Sequence, residues 1–191
     1  SIKTNISLKS LIYDEFLVDE IQISTKPIIL SDVILLARSF KDSTELFFLD
    51  KTIKSGFLVG DIKLKFDDEG KIKENYQING FIKNANFNFL NKLNTENLNL
   101  NFDISKRKYS LTEINAEINN IKFSSPSIEI NERKKTFSIK GKILTSKRDF
   151  NREQLQIIFN SFFKNLIAKK ARFSSENEIS LVVSKKFKFK D

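Results

Sequence analysis

The chain has 191 residues and a formal net charge of +9, and it contains no cysteine, histidine, methionine or tryptophan. The absence of cysteine excludes disulfides and thiolate metal sites, and the absence of histidine removes the commonest general base and metal ligand. Two prolines and five glycines argue against a linker-rich chain, and no apolar run approaches the length that spans a bilayer.

The positive charge would suit nucleic acid or anionic lipid as a partner. Many of the lysines, however, fall at polar strand positions or in turns, as Lys71, Lys83 and Lys108 do. We interpret the charge as a solubilising surface and expect no nucleic-acid partner. The basic end at 185–190 is interpreted in the same way, as an edge strand that its lysines protect from aggregation.

The chain begins with Ser1 and has no targeting run at its start. We therefore expect a piece of a longer protein. Within residues 1–191 the pattern shows no internal domain boundary, so a single β-rich segment is predicted.

The first predicted elements are two strands and a helix. Alternating residues predict strands over about 2–8 and 16–24. A short helix is predicted over about 31–40, because the side-chain oxygen of Ser31 or Asp32 can accept from free backbone N–H groups.

From residue 58 to residue 143, apolar residues alternate with polar ones, which predicts strands with one apolar face. Polar turns at 67–70, 105–108 and 131–135 separate the alternating runs. The alternation changes phase at Asn84–Ala85 and again between Leu111 and Ile114. Consecutive strands joined by short turns are typical of an antiparallel meander.

A second helix is predicted from Asn151 to about Lys170, with Asp149 or Asn151 as its N-cap. Its apolar residues follow the three-four spacing of one helical face. They are Leu155, Ile158, Phe159, Phe162, Phe163, Leu166 and Ile167. A last strand is predicted around Ile179, Leu181 and Val183.

The apolar faces of these strands could meet in two ways. A closed β-sandwich would serve as a structural or adhesive module of a surface protein. The alternative is one long curved sheet, and we favour it because the strands are sequential and Gly60, Gly80 and Gly141 all fall on the apolar face, where they permit curvature or close approach.

The predicted fold is therefore mainly β: a long curved antiparallel meander sheet that forms a groove, with one or two helices covering part of its apolar face. An apolar groove left open to water is unfavourable, so it must close, take a cover helix or hold lipid. Because the predicted helix can cover only part of it, we expect the rest to bind lipid acyl chains or to meet neighbouring segments of a longer groove. The residues predicted to line the groove are Ile62, Leu64, Ile78, Ile82, Phe87, Phe89, Leu98, Leu100, Phe102, Ile104, Ile114, Ile118, Ile139 and Ile143.

No catalytic activity, metal or cofactor is predicted. Serine is frequent, but no base is placed to activate it. The carboxylates of Asp67, Asp68 and Glu69 are interpreted as a hairpin turn, because they lack the spaced oxygen ligands of a calcium loop.

Three stretches resemble a known family: KTNISL at 3–8, IQISTKPIILSDVI at 21–34, and IKLKFDDEGKIKENYQINGFIKNANFNF at 62–89. They are similar to the AsmA-like group of bacterial envelope proteins, which includes TamB-like and YhdP-like members. The resemblance implies a periplasmic β-groove, anchored to the inner membrane by a tether that we expect outside this segment. It also implies a role in carrying phospholipids towards the outer membrane, and it supplies no catalytic residues.

Overall fold

A computed structural model describes residues 1–6, 18–40, 44–67, 69–89, 93–159 and 169–184. Its backbone forms one ten-stranded antiparallel meander sheet that is not closed into a barrel. The sheet is curved like a groove. The predicted mainly β meander is confirmed, and the closed sandwich is wrong for the described residues, whose strands all belong to this one sheet.

The strands are β1 (Ile2–Ile6), β2 (Val18–Ser24), β3 (Ile28–Ile29), β4 (Ile53–Lys65), β5 (Gln77–Phe89), β6 (Leu93–Ser105), β7 (Lys108–Ile118), β8 (Ile121–Glu132), β9 (Thr136–Asn151) and β10 (Lys170–Ser184). The helices are α1 (Leu30–Phe40), α2 (Thr44–Thr52) and α3 (Arg152–Phe159). Each strand pairs with its neighbour in the chain, except that β2 and β3 both pair with β4.

Cross-strand pairing gathers the apolar positions into continuous rows. One row crosses the whole sheet through Ile2, Ile23, Ile62, Ile78, Ile104, Tyr109, Ile130, Ile139 and Leu181. The row of adjacent positions points to the other face and runs through Ser24, Asp61, Asn79, Asp103, Ser110, Glu129, Lys140 and Ser180. Because successive side chains alternate between faces, the predicted alternation yields one apolar face and one polar face.

A seam of β-bulges crosses the sheet where the alternation changes phase. Gly56, Asn84, Asn97 and Glu113 have φ angles of 131°, 52°, 52° and 52°, and the pairing register shifts beside them. Each bulge adds one residue to its strand. The extra residue keeps the apolar side chains on the same face beyond the bulge, which confirms the predicted phase changes.

Asparagine side chains hold this seam together. The backbone N–H of Asn84 donates to Oδ1 of Asn99 at 3.1 Å, and the backbone N–H of Asn97 donates to Oδ1 of Asn86 at 2.9 Å. A bulge leaves backbone groups without a ladder partner, and at these exposed positions the asparagine side chains supply an acceptor. Asparagine also tolerates positive φ better than most residues, so it suits both roles.

The helices agree with prediction at their starts. Helix α1 lies over the predicted 31–40. Asn151 caps α3 as predicted: the Gln154 N–H donates to Asn151 Oδ1 at 2.9 Å, and the Asn151 N–H donates to Gln154 Oε1 at 3.2 Å. This reciprocal pair satisfies two free backbone donors.

One helix was not predicted, and several predicted boundaries differ from the structure or cannot be compared with it. Helix α2 was not predicted, because the apolar residues at 46–49 are consecutive and fit neither helical nor strand spacing. The second helix was predicted to end at about Lys170; Lys170 itself begins β10, and residues 160–168 lie outside the described residues. The predicted strand residues at 7–8 and 16–17, the helix residues at 160–168 and the basic end at 185–190 lie outside the described residues.

The helices pack on one end of the apolar face. Leu155 of α3 is 2% exposed and packs with Ile121 and Phe150, both fully buried. The Phe150 ring stacks on that of Phe173 with a centroid distance of 4.4 Å. At the far side of the same end, buried Leu30 of α1 lies against the β-bulge of the seam in β4.

Two paired glycines on the apolar face give a matched test of packing. A Cβ on Gly80 would lie 2.1 Å from the Val59 carbonyl oxygen, whereas a Cβ on Gly60 would meet nothing closer than 3.5 Å. We expect Gly80→Ala to lower the free energy of unfolding by about 1–3 kcal/mol, because backbone must move. Gly60→Ala should be neutral or stabilising by about 0.4–1 kcal/mol.

Urea unfolding followed by circular dichroism measures both variants. An equal loss of stability in Gly60→Ala and Gly80→Ala would show that close backbone approach does not determine which glycine is required.

Candidate functional site

The pairing register places the predicted groove residues on one face. Ile62, Ile78, Ile104 and Ile139 belong to the row that crosses the whole sheet. The others pair with residues of that face as follows: Leu64 with Ile21, Ile82 with Leu58 and Leu100, Phe102 with Gly80 and Leu111, Leu98 with Ala85, Ile114 with Ser125, and Ile143 with Asn177. We call this surface the apolar face.

Beyond the seam, a second row continues the apolar face. It runs through Ile53, Phe87, Thr95, Ile118 and Ile121. The backbone of Phe89 pairs with Leu93 in the same region, but the Phe89 side chain lies outside the described residues.

Several residues of the apolar face were not in the predicted set. They are Ile21, Ile23, Leu58, Tyr109, Leu111, Ile128, Ile130, Ile179 and Leu181. Their signal is the same alternation that identified the others. What the alternation alone could not supply is the register, which decides which residues of neighbouring strands share a row.

The two ends of the apolar face differ in whether helices pack over them. At the seam end, α1 and α3 bury Leu30, Phe150 and Leu155. At the other end, the described residues place no helix or second sheet over the long row, and its outer members Ile2 and Leu181 are 72% and 40% exposed. Among the described residues, the apolar face is therefore covered at one end and open at the other.

The total surface agrees with an open layer. The chain exposes 14021 Å². A compact protein of its mass, 22.2 kDa, would expose roughly 9,400 Å². A single sheet with few covering helices is expected to exceed that value, because both of its faces meet solvent.

The glycines do not leave empty notches for a ligand. The Phe102 ring fills the space beside Gly80, where its Cζ lies 2.8 Å from the place a Cβ would occupy. Ile128 approaches Gly141 in the same way, with its Cγ1 at 2.9 Å. The predicted close approach is made by backbone of the neighbouring strand at both glycines, together with the Phe102 and Ile128 side chains. Any ligand would lie on top of these side chains.

Charged pairs lie on the opposite, polar face. Lys63 Nζ lies 3.1 Å from Glu20 Oε2, and this contact lowers the pKa of Glu20. Lys142 Nζ lies 2.8 Å from Glu176 Oε1; the hydrogen bond lowers the pKa of Glu176 and raises that of Lys142. The row from Ile2 to Leu181 contains no charged side chain, so the two faces differ sharply in polarity.

The open end of the apolar face has a phenol and a carboxylate at its margin. Tyr109 O–H donates to Glu132 Oε2 at 3.4 Å. Burial of the phenol, with the nearby Glu132 charge as a smaller cause, raises the pKa of Tyr109. The margin can therefore form hydrogen bonds, while the centre of the face offers only dispersion and hydrophobic contact.

Among the described residues, no group of three or more carboxylates is placed to hold a metal ion. In the same part of the chain, no helix is both long enough and apolar enough to cross a membrane. A scan against models of known protein families found no match, and searches of curated proteins and of solved structures found no significant similarity.

Because the chain has no cysteine, a single introduced cysteine can measure how accessible each position of the apolar face is to solvent. We expect Ile104→Cys to react with a thiol reagent in the native state almost as fast as Asp103→Cys on the polar face. Ile121→Cys, at a position with no exposure, should react only after unfolding. The rates are measured by mass spectrometry of labelled protein.

Protection of Ile104→Cys to the same degree as Ile121→Cys would contradict an open face. It would mean that another layer covers the long row in solution.

Proposed function

We propose that this chain is a non-enzymatic segment that binds or passes lipid acyl chains, as part of an AsmA-like protein of the bacterial envelope. In this proposal the parent protein lies in the periplasm, is anchored to the inner membrane by a tether outside this segment, and supports phospholipid transport or outer-membrane biogenesis. The observation that carries the proposal is the uncharged row from Ile2 to Leu181 at the open end of the apolar face.

The dimensions of the row support acyl chains as the ligand. Nine strands spaced about 4.8 Å apart give the row a length of roughly 38 Å. One acyl chain extends about 15 Å, half of a hydrocarbon core of about 30 Å. The face can therefore accommodate more than one acyl chain, in any orientation, without a shaped pocket.

The energetics also favour an apolar occupant. An aliphatic side chain gains roughly 1.5–3 kcal/mol when it is fully removed from water. The residues of the long row are only partly buried by their neighbours in the sheet. A hydrocarbon chain laid along the aliphatic residues of the row would remove further apolar area from water. Tyr109 is the one member of the row with a polar side-chain group, and its hydroxyl already donates to Glu132.

The segregation of charge supports transfer rather than tight, specific binding. The long row contains no charged side chain that would hold one headgroup in place, and its one hydrogen-bonding side chain, Tyr109, is already paired with Glu132. A ligand held by hydrophobic contact alone can slide, because its free energy changes little from one position to the next. Movement along the rows is what a conducting surface requires.

The proposal is tested with a matched pair of substitutions on neighbouring residues. Ile104→Asn places an amide in the long row, whereas Asp103→Asn places the same side chain on the polar face. Binding of a fluorescent fatty acid should weaken roughly tenfold in Ile104→Asn, since the lost apolar contact is worth about 1.4 kcal/mol or more. Asp103→Asn should bind as the parent chain does.

Native mass spectrometry after gentle purification gives an independent reading, and co-purified phospholipid is the expected result. Urea unfolding of both variants controls for loss of fold. Lipid-free protein that takes up no fatty acid, or equal affinity in Ile104→Asn and Asp103→Asn, would count decisively against lipid binding at this face.

A further inference from the structure

Strand β10 forms one edge of the described sheet, and its uncharged stretch lacks the usual protection of an edge. No described strand pairs with its outer side, and its 15 residues make it three times as long as β1, the other edge strand, with 5. Residues 179–184 contain no charge and no proline, and Leu181 and Val182 are 40% and 43% exposed. Natural edges are usually guarded by lysine, proline or a bulge, because unpaired backbone groups recruit another strand.

The devices that could guard β10 lie elsewhere along it. Its register shift occurs between Phe173 and Ser175, away from the uncharged stretch. The carboxylates of Glu176 and Glu178 lie 2.8 Å and 3.6 Å from Lys142 of the neighbouring strand β9. Their charge is therefore partly neutralised by Lys142 of the same sheet, and residues 179–183 carry no charge that would oppose pairing.

We propose that β10 pairs with β10 of a second copy of this chain, antiparallel and centred on Leu181. A two-fold axis through that position sets Leu181 opposite Leu181 of the partner subunit and Ile179 opposite Val183 of the partner subunit. Ser180 then faces Val182 of the partner subunit. The stretch is self-complementary, because apolar residues meet apolar residues on one face and no like charges oppose each other.

Continuity of the sheet favours a second copy over an unrelated strand. Ile139 and Leu181 end the long row, and Gly141 and Ile179 end the row beside it. In the proposed register the long row continues into the same row of the partner subunit, and the row that ends in Ile179 continues into the apolar row that contains Val183 of the partner subunit. The result is a single sheet with one uninterrupted apolar face. Two-fold pairing gives a closed dimer, because it pairs the β10 edge of each copy with that of the other.

The inference stands whether or not the apolar face binds lipid. If it does, the dimer doubles the length of the surface available to an acyl chain. If it does not, edge pairing still satisfies the exposed backbone groups and covers Leu181 and Val182.

The experiment uses the absence of native cysteine. Directly opposed residues in an antiparallel pair have Cα atoms about 4.5–5.5 Å apart, which lies within the range that a disulfide bridges. Under mild oxidation, Leu181→Cys should give a disulfide-linked dimer, and a mixture of Ile179→Cys and Val183→Cys should give the mixed dimer. Leu36→Cys, on a leucine of α1 that is 61% exposed, is the matched control and should remain largely unlinked.

Sedimentation velocity over a concentration series supplies the second reading. The parent chain should show a monomer–dimer equilibrium. Leu181→Lys should raise the dissociation constant by tenfold or more, because it sets two like charges opposite each other. Leu36→Lys should leave the equilibrium unchanged.

Three results would overturn the proposal. They are a monomer at every concentration, a dimer that persists unchanged in Leu181→Lys, and equally efficient cross-linking through Leu36→Cys. Open-ended assembly would also contradict it, since two-fold pairing stops at the dimer. Circular dichroism of Leu181→Lys verifies that the edge substitution leaves the sheet folded.

Discussion

The structure depends on the fixed register of antiparallel pairing combined with the two-residue period of a strand. Once Ile62 lies opposite Ile78, every second residue along both strands must share a face. The same register is repeated from strand to strand, so the apolar residues that alternate along each strand form one continuous apolar face. A register shift of one residue in any strand pair would interrupt this face, because it would move the apolar side chains of that strand to the polar face.

The bulge seam shows how the sheet bends without losing this order. Extra residues at Gly56, Asn84, Asn97 and Glu113 increase local twist, yet the apolar set resumes on the same face in each strand. Asparagine amides bond to the backbone groups that the bulges set free. The asparagines in the alternating run at 97–101 therefore do more than place polar side chains on the solvent-facing side. Asn99 also supplies a hydrogen-bond acceptor where a bulge interrupts the strand pairing.

Much of this architecture could be predicted from the residues, for physical reasons that also explain the failures. Alternation at 97–104 predicted the face of each side chain, and the phase change at Asn84–Ala85 coincides with a bulge in the structure. Helix α2 could not be found, because its consecutive apolar residues lack a period. Three-four spacing continued past Phe159 and could not show that Lys170 already belongs to a strand.

The sequence could predict which residues belong to the candidate site, but not how they are arranged on the sheet or which of them the helices cover. The pattern identified Phe102 and Gly80 as residues of one face, yet only the cross-strand register shows that the Phe102 ring occupies the space above Gly80. Sequence likewise could not show that helices cover one end of the face and leave the other open. Such cover depends on tertiary packing, for which local periodicity carries no information.

The sequential strand order has a further consequence for cooperativity. Each long strand touches mainly the strands before and after it, as the units of a solenoid do. Without a facing layer to tie distant strands together, the outermost hairpins can fray while the centre stays ordered. Over evolutionary time, the same independence would let such a sheet gain or lose a pair of strands and remain intact.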